Sequence, residues 1–354
     1  MKLRTESKHE VAAMATLTQQ LDRASARYLG QVEMHDSNED RLNRLKEGDF
    51  ITARICRLDP SIDKAPYFET YRVPYVKWMR VLDVLIHISE GLCVEYAHRW
   101  YCGVKKCGTC AVRVNGRETL SCWEPAQPDM VIEPLRHLPV VRDLIVDREP
   151  YERKVMELGP LLMRTQPYPG LPEYITDREM RAASYAMDCI NCMACYSACP
   201  VLDLGTETNF SGPAPLVQLA QVALDPRDGL DRSSLIEHTA SISECVSCYR
   251  CEEVCPAEIP IVSRVIEPLK ALAFAISPAN KKHQAAFLEI VRDRGRIDPS
   301  ALVLKTQGLR ALLSPVRALR LWMKGKISPS KTFLGWTIPG VEQVRRLFSA
   351  VKGA

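Results

Sequence analysis

Two hydrophobic periods divide this chain. Val11, Met14, Leu17, Leu21 and Tyr28 recur at roughly helical spacing and predict a helix, followed by a polar stretch from Glu33 to Asp49. Residues 1–49 therefore read as an N-terminal extension, either a surface helix with a linker or a helix that docks on a partner subunit. From Phe50 the period shortens to two. Ile51, Ala53 and Ile55, then Tyr67, Glu69, Tyr71 and Val73 beyond a Pro60-Ser61 turn, predict two strands with alternating faces. Asp83–Gly91 predicts a short amphipathic helix closed by glycine. Ala111–Val114 running into Asn115-Gly116 predicts a strand entering a hairpin. From about Pro150 the signals turn helical and stay so to the end, with a loop over Gly205–Pro215 and a closing helix over 262–276.

The tail has a character of its own. Phe287, Ile290 and Val291 are helically spaced. Leu309, Leu312, Leu313, Val316, Leu319 and Met323 form one apolar stripe, with Arg310, Arg317, Arg320 and Lys324 opposite and Pro315 interrupting it. From Arg310 onward nine Lys and Arg stand against one acid, Glu342. The stripe predicts a packed helix with a solvated basic face; the alternatives are a membrane-surface helix or a subunit-docking face.

Cysteines fall between these elements in three groups. The pattern C-x2-C-x2-C-x3-C-P occurs twice, as Cys189, Cys192, Cys195, Cys199 with Pro200, and as Cys245, Cys248, Cys251, Cys255 with Pro256. This is the ligand spacing of two-cluster ferredoxins, in which the fourth cysteine of each run serves the other cluster. Two [4Fe–4S] clusters follow: one on Cys189, Cys192, Cys195 and Cys255, the other on Cys199, Cys245, Cys248 and Cys251. The third group, Cys102, Cys107 and Cys110 with Cys122 further on, has the C-x4-C-x2-C…C spacing of a plant-type [2Fe–2S] site. Its first three ligands lie on a loop and the fourth after a hairpin, so backbone N–H groups can point at cluster sulfurs. Zinc needs only four ligands, which makes four cysteines and a Cys-Pro in each run superfluous for it. Disulfides belong to short secreted chains. Cys56, on a predicted strand, reads as a core residue, and Cys93 is not expected to be a ligand.

Composition narrows the setting. At 354 residues, two or three domains are expected; 46% hydrophobic and 25% charged residues are ordinary for a globular protein. A net charge of +4 points to no nucleic acid or other particular partner. Fourteen cysteines, most in dense motifs, indicate a reducing compartment. No stretch approaches the ~20 apolar residues of a membrane helix; the run Ala271–Ile276 ends at Ser277-Pro278. The N-terminus lacks the apolar core of a signal peptide and a twin arginine, and has too many acids for a transit peptide.

The order of these motifs resembles the iron–sulfur subunit of succinate dehydrogenase and fumarate reductase over roughly residues 50–275. Ala53–Pro60 is similar to the family's opening strand, Arg80–Leu85 to its first helix, and Leu138–Asp147 to the segment joining its two domains. Ser211-Gly212-Pro213 and Asp225–Asp228 are similar to its inter-cluster helices. The resemblance implies an α+β chain: an extension (1–49), a β-grasp [2Fe–2S] ferredoxin domain (50–147), an all-α dicluster [4Fe–4S] domain (148–276) and a basic helical tail (277–354). It also implies a partner flavoprotein whose FAD interconverts succinate and fumarate, with electrons passing singly along three clusters to or from a quinone-linked membrane-side subunit. The chain would then bind no dicarboxylate, carry no catalytic residue of its own, and sit in the cytoplasm on the inner face of the cell membrane through its partners.

Departures from the family pattern are informative. Members with a [3Fe–4S] centre have no cysteine in the middle of the second run; Cys248 is present here, so a [4Fe–4S] cluster is expected. Val246 stands where quinone-binding members have histidine, and 201–205 holds no tryptophan, which argues against the usual quinone pocket. Lys105 occupies a position that is usually glycine, with glycine instead at Gly103, so the loop is expected to follow another path. Lys105 and Lys106 should favour the reduced cluster. In the tail, Ala286–Ile290, Arg294–Ile297 and Met323–Lys326 resemble the small dicluster subunit of heterodisulfide reductases. Together with Cys248 this suggests a non-classical complex whose membrane-side subunit is heterodisulfide-reductase-like. Two other functions stay open: the iron–sulfur subunit of a heterodisulfide- or thiol-linked reductase with another flavoprotein, and a free-standing ferredoxin-like carrier.

Overall fold

Strand β1 (Phe50–Arg57) sends Ile51, Ala53 and Ile55 into the core with no exposed surface, because alternate residues of a strand face the same way. It pairs antiparallel with β2 (Tyr67–Pro74) in the register Phe50 to Pro74. Helix α1 (Val81–Ile86) continues into a wider turn over His87–Gly91. Its Val81, Val84, Leu85 and Ile88 pack in the same cluster as Ile51 and Ile55. Strands β3 (Ala111–Val114) and β4 (Arg117–Leu120) form the expected hairpin. β5 (Asp129–Glu133) runs parallel to β1 and antiparallel to β3, giving a sheet of order β2-β1-β5-β3-β4 that grips α1. This is the β-grasp arrangement. The structure is a computed structural model and describes residues 45–276, 278–308 and 337–352. The helix expected over Val11–Tyr28 and the stripe Leu309–Met323 lie outside the described residues.

A small hairpin, β6 (Val140–Arg142) and β7 (Ile145–Val146), closes the sheet domain. Asp143 at its tip is buried. It accepts hydrogen bonds from Arg57 Nε at 3.0 Å, the Leu58 backbone N–H at 3.1 Å and the Ala97 backbone N–H at 2.8 Å. One carboxylate thus fastens two other segments, 57–58 and the one at Ala97, to its own hairpin, and losing it would leave buried donors unmatched.

The helical half begins with α2 (Glu149–Leu158) and α3 (Asp177–Met187), the latter opened by a capping box of Thr176 and Glu179. Short helix α4 (Ala194–Ser197) follows the first cysteine run. Helix α5 (Pro213–Ala223) is the central element: Leu216, Leu219 and Ala220 are fully buried, and α2, α3 and the segment Ile261–Ile266 pack on it. It starts at Pro213, a residue suited to a first helical position, so the expected loop over Gly205–Pro215 ends earlier. Short helix α6 (Arg250–Glu253) sits in the second cysteine run, and α7 (Glu267–Ile276) extends the closing helix.

The expectation of helix throughout from Pro150 fails over 159–176. Pro160, Pro167, Pro169 and Pro172 remove backbone donors there and restrict their predecessors. Side chains hold the segment instead. Arg232 donates to the Gly159 carbonyl at 3.2 Å and the Leu161 carbonyl at 2.6 Å, and pairs with Asp228 at 2.6 Å. Arg164 pairs with Glu173.

The chain divides into two compact units at Leu272/Ala273. In the second unit α8 (Pro278–Arg294) packs on α9 (Pro299–Gln307) and α10 (Val341–Lys352). Asp298 caps α9, accepting N–H bonds from Ser300 and Ala301 at 3.1 Å each. No described helix is long and apolar enough to cross a membrane.

Candidate metal centres

The loop 102–110 wraps its own first thiol. Cys102 Sγ accepts backbone N–H bonds from Val104 and Lys106 at 3.4 Å and from Cys107 at 3.3 Å. Gly103 (φ 69°), Lys105 (φ 58°) and Gly108 (φ 70°) are left-handed, which turns these amides inward. Lys105 therefore itself adopts the conformation that glycine would favour, at a strain of about 1–2 kcal/mol, and the lysine does not remove the turn. Cys107 Sγ lies 3.1 Å from Thr109 Oγ1. Burial works to raise the Cys107 thiol, but its bonds with Thr109 and Cys102 outweigh that and bring it down to about 6. Cys110 and Cys122 are buried beneath the loop with Leu82 and Leu120. Burial, opposed by the Lys105 amide, pushes Cys122 up to about 12.

The two ferredoxin-type runs share one backbone design. Asn191 and Met193 are left-handed two and four residues after Cys189; Ser247 and Tyr249 are left-handed two and four after Cys245. A one-turn helix, α4 or α6, then leads to the Cys-Pro. A cavity of about 360 Å³ is lined by Cys189, Cys192, Cys195 and Cys255, with Ala214, Val217 and Ile261 among its apolar walls. A second, of about 330 Å³, is lined by Cys199, Cys245, Cys248 and Cys251, with Phe210, Val262 and Ile266. Each cavity thus takes three thiols from one run and the fourth from the other.

Burial pushes these thiols up, and neighbouring sulfurs add to it at five of them: Cys192 rises to about 12 and Cys199 to about 11, and Cys189, Cys195 and Cys251 rise too; at Cys255 burial is joined by the Glu258 carboxylate. Buried thiols that repel one another as anions fit a group whose iron supplies positive charge and holds them ionised. Among the described residues no three His, Cys, Asp or Glu side chains are placed to hold a single metal ion. Four thiols arranged around an apolar pocket suit a polynuclear cluster, whereas zinc draws four ligands to about 2.3 Å.

The [2Fe–2S] loop and the first cavity touch. A Cβ on Gly108 would lie 2.5 Å from the Ile190 carbonyl oxygen and 3.1 Å from Cys192 Cβ. Cys110, Cys122, Cys192 and Ala194 share one buried cluster. Polar contacts reinforce the junction. Arg117 donates to the Glu253 carbonyl at 3.2 Å, and Lys105 Nζ stands 3.6 Å from Glu258 Oε1. Ser197 donates to Glu118 Oε1 at 2.8 Å and accepts from the Arg136 N–H at 2.9 Å. Arg113 lies 3.5 Å from both Glu118 and Glu133, all three buried. None of these junction residues carries a local sequence signal, because their partners are far away in the chain.

Cys56 is wholly buried and its thiol is pushed up by burial. Cys93 is exposed, with its sulfur 3.6 Å from the Glu90 carbonyl. Cys248 and Val246, at the second cavity, are exposed.

Comparison with known proteins agrees with this geometry. Residues 52–153 match the family described as a 2Fe-2S iron-sulfur cluster binding domain, and residues 185–259 that described as a 4Fe-4S dicluster domain. The chain is 34% identical over 221 residues to the fumarate reductase iron-sulfur subunit of Mycobacterium tuberculosis, covering 59% of this chain and 87% of that protein. It is 34% identical over 227 residues to a subunit of the fumarate reductase (CoM/CoB) of Methanothermobacter marburgensis, covering 63% of this chain and 44% of that one. The chain spans less than half the length of this and similar archaeal relatives. A chain of the Mycobacterium smegmatis Sdh1 complex in the apo form superposes with a TM-score of 0.59 at 25% identity, over 65% of this chain and 99% of that one. A [2Fe–2S] domain followed by a [4Fe–4S] dicluster domain, matched over nearly the whole of a shorter relative, makes this chain a member of the fumarate reductase/succinate dehydrogenase iron–sulfur subunit family.

Proposed function

We propose that this chain is the electron-transfer subunit of a succinate dehydrogenase or fumarate reductase complex of non-classical type. It would pass single electrons between an FAD-containing flavoprotein and a membrane-side subunit. The observation that carries this reading is the contact of Gly108 with Ile190 and Cys192, which packs the four-thiol loop of one domain against the first four-thiol cavity of the next. Cys102, Cys107, Cys110 and Cys122 would hold the [2Fe–2S] cluster. Cys189, Cys192, Cys195 and Cys255 would hold one [4Fe–4S] cluster, and Cys199, Cys245, Cys248 and Cys251 the other. Bound clusters supply reversible one-electron chemistry. The protein's part is to ligate them, to exclude water with residues such as Phe210 and Val217, and to aim backbone N–H groups at sulfur. The domain limits 50–147 and 148–276 follow from this division of labour.

On this reading the chain lies on the inner face of the cell membrane through its partners. Cys248 favours a heterodisulfide-reductase-like partner over direct quinone reduction at the second cavity. It also keeps a thiol-linked reductase as the second reading, in line with the relative from Methanothermobacter. Anaerobic purification of the tagged chain from native membranes, with identification of every co-purifying subunit, tests both. A flavoprotein that acts on succinate or fumarate is expected. A flavoprotein with another substrate would overturn the assigned reaction and leave the cluster sites standing, and a monomer with no partner would return the free carrier.

A further inference from the structure

The two cysteine runs are fastened at one matching place, two residues after the first cysteine of each. That position is left-handed in both, at Asn191 (φ 54°) and at Ser247 (φ 50°). In the first run a neutral group holds it: the Tyr151 hydroxyl donates to Asn191 Oδ1 at 2.9 Å. In the second run a cation does. Lys270 Nζ donates to Ser247 Oγ at 2.8 Å and to the Cys245 carbonyl at 2.9 Å. Lys270 lies on α7, four residues after Ile266, which lines the second cavity. Its side chain is only 12% exposed. A lysine is seldom buried so far unless its N–H groups find acceptors, and here they find them on the loop that carries the thiols. Because one acceptor is the carbonyl of Cys245, the ammonium stands against the backbone of a cysteine that lines the cavity. Glu267 Oε1 accepts from Ser247 Oγ at 3.0 Å and lies 3.9 Å from the ammonium. That carboxylate is half exposed, so water screens it and it offsets only part of the lysine's charge.

We propose that Lys270 raises the reduction potential of the second [4Fe–4S] site, its ammonium both holding the loop of the second run and stabilising the negative charge that reduction adds. This rests on the reading that Cys199, Cys245, Cys248 and Cys251 hold a cluster. A cluster gains one negative charge with each electron. A positive charge set against a ligand's backbone favours the more negative state, and the small exposure of Lys270 limits screening by water and salt. Tyr151 holds Asn191 without charge, so equal ligand spacing in the two runs comes with unequal charge at the matched position.

The test compares the full chain, purified anaerobically, with Lys270→Met, Lys270→Gln and Lys270→Arg. Potentiometric titration followed by EPR reads each midpoint, and Cys248→Ala identifies the second cluster as the one whose signal it changes. The second midpoint is expected to fall in Lys270→Met and Lys270→Gln and to stay near the wild-type value in Lys270→Arg, which keeps the charge. The fall should be about tenfold in the equilibrium constant for reduction, or about 59 mV for a one-electron couple, with the other two midpoints in place. Unmoved midpoints with full iron content overturn the proposal. An equal fall in all three variants also overturns it, because loop geometry and not charge would then set the potential. Should Lys270→Met and Lys270→Gln lose the cluster, Glu267→Gln decides: without the opposing carboxylate the second midpoint should rise, and an unmoved or lower one overturns the proposal. A wild-type chain with no [4Fe–4S] iron at the second run would instead overturn the site reading, and the role of Lys270 with it.

Discussion

Replacing Gly108 with alanine should damage this protein more than replacing Gly103, although both glycines lie in the same loop and both are left-handed, with φ of 70° and 69°. At Gly103 a Cβ would meet nothing within 4 Å. Gly103→Ala therefore costs only the left-handed backbone, about 1–2 kcal/mol. At Gly108 the same backbone term applies, and the Cβ would also sit 2.5 Å from the Ile190 oxygen and 3.2 Å from Cys192 Cα. Those neighbours are backbone, so they cannot swing aside. The loop carrying Cys189 and Cys192 has to shift, at a further cost of about 1–3 kcal/mol.

Anaerobic urea bleaching of the holoprotein reads the difference. With a urea dependence of about 2–3 kcal/mol per M, the extra term moves the midpoint by about 0.3–1.5 M below that of Gly103→Ala. Cluster loss is irreversible, so the order of midpoints, not an extrapolated free energy, is the quantity compared. The reduced first [4Fe–4S] cluster should also lose its EPR line shape in Gly108→Ala and keep it in Gly103→Ala. Coincident midpoints with intact spectra in both variants would show that the two loops do not need this contact, and would remove the observation on which the proposed electron path rests.

Cys248→Ala leaves three thiols at the second cavity and is expected to replace its [4Fe–4S] cluster by a [3Fe–4S] one, seen as one iron fewer per chain and a new EPR signal in the oxidised state. Cys255→Ala should likewise convert or lose the cluster of the first cavity and spare that of the second, while Cys199→Ala does the reverse; Mössbauer spectra that assign each change to the run containing the mutation would refute the crossed arrangement. Burial opposes the charge of Asp228, but Arg232 and the Met163 N–H hold its carboxyl below the usual range. Its stabilising effect is therefore full above about pH 4 and fades as pH falls through the lowered folded value. Asp228→Asn, which leaves Arg232 buried beside a neutral partner, should cost about 3–5 kcal/mol at pH 7. The gap should narrow toward pH 3, and hydrogen exchange at residues 159–163 should rise first.

The clusters were legible because their information is local. Ligand spacing within a run fixes where each thiol lies on a tight loop, and the two runs match at every ligand position. β1 was legible for a similar reason: Ile51, Ala53 and Ile55 alternate with polar residues. β5 was not, since Met130, Val131, Ile132 and Glu133 are all fully buried and the strand has no polar face to alternate. The irregular segment 159–176 carried its warning in four prolines, which the helical signals on either side obscured. The domain junction left no signal at all. Ser197 and Glu118 are hydrogen-bonded across 79 residues, and only the folded backbone brings them together. Lys105 shows the limit of pattern matching, because an unexpected residue there adopts a backbone conformation that glycine would favour.

Equal ligand spacing does not make the two dicluster halves equal. After the first cysteine of each run, the residues at the second left-handed position are Met193, 5% exposed, and Tyr249, 47% exposed. Cys192 is buried, and its counterpart Cys248 is exposed. Val246, which lines the second cavity, is 67% exposed. The buried half owes its seclusion to the sheet domain, which covers it through Gly108, Cys110 and Cys122. Among the described residues of the first unit, nothing covers the other half to the same degree. Water near the exposed second site can solvate the added charge of a reduced cluster, whereas the buried first site depends more on the protein's own backbone amides. Two sites of identical ligand spacing are therefore expected to differ in potential through what packs over each of them, the more exposed second site having water to solvate added charge.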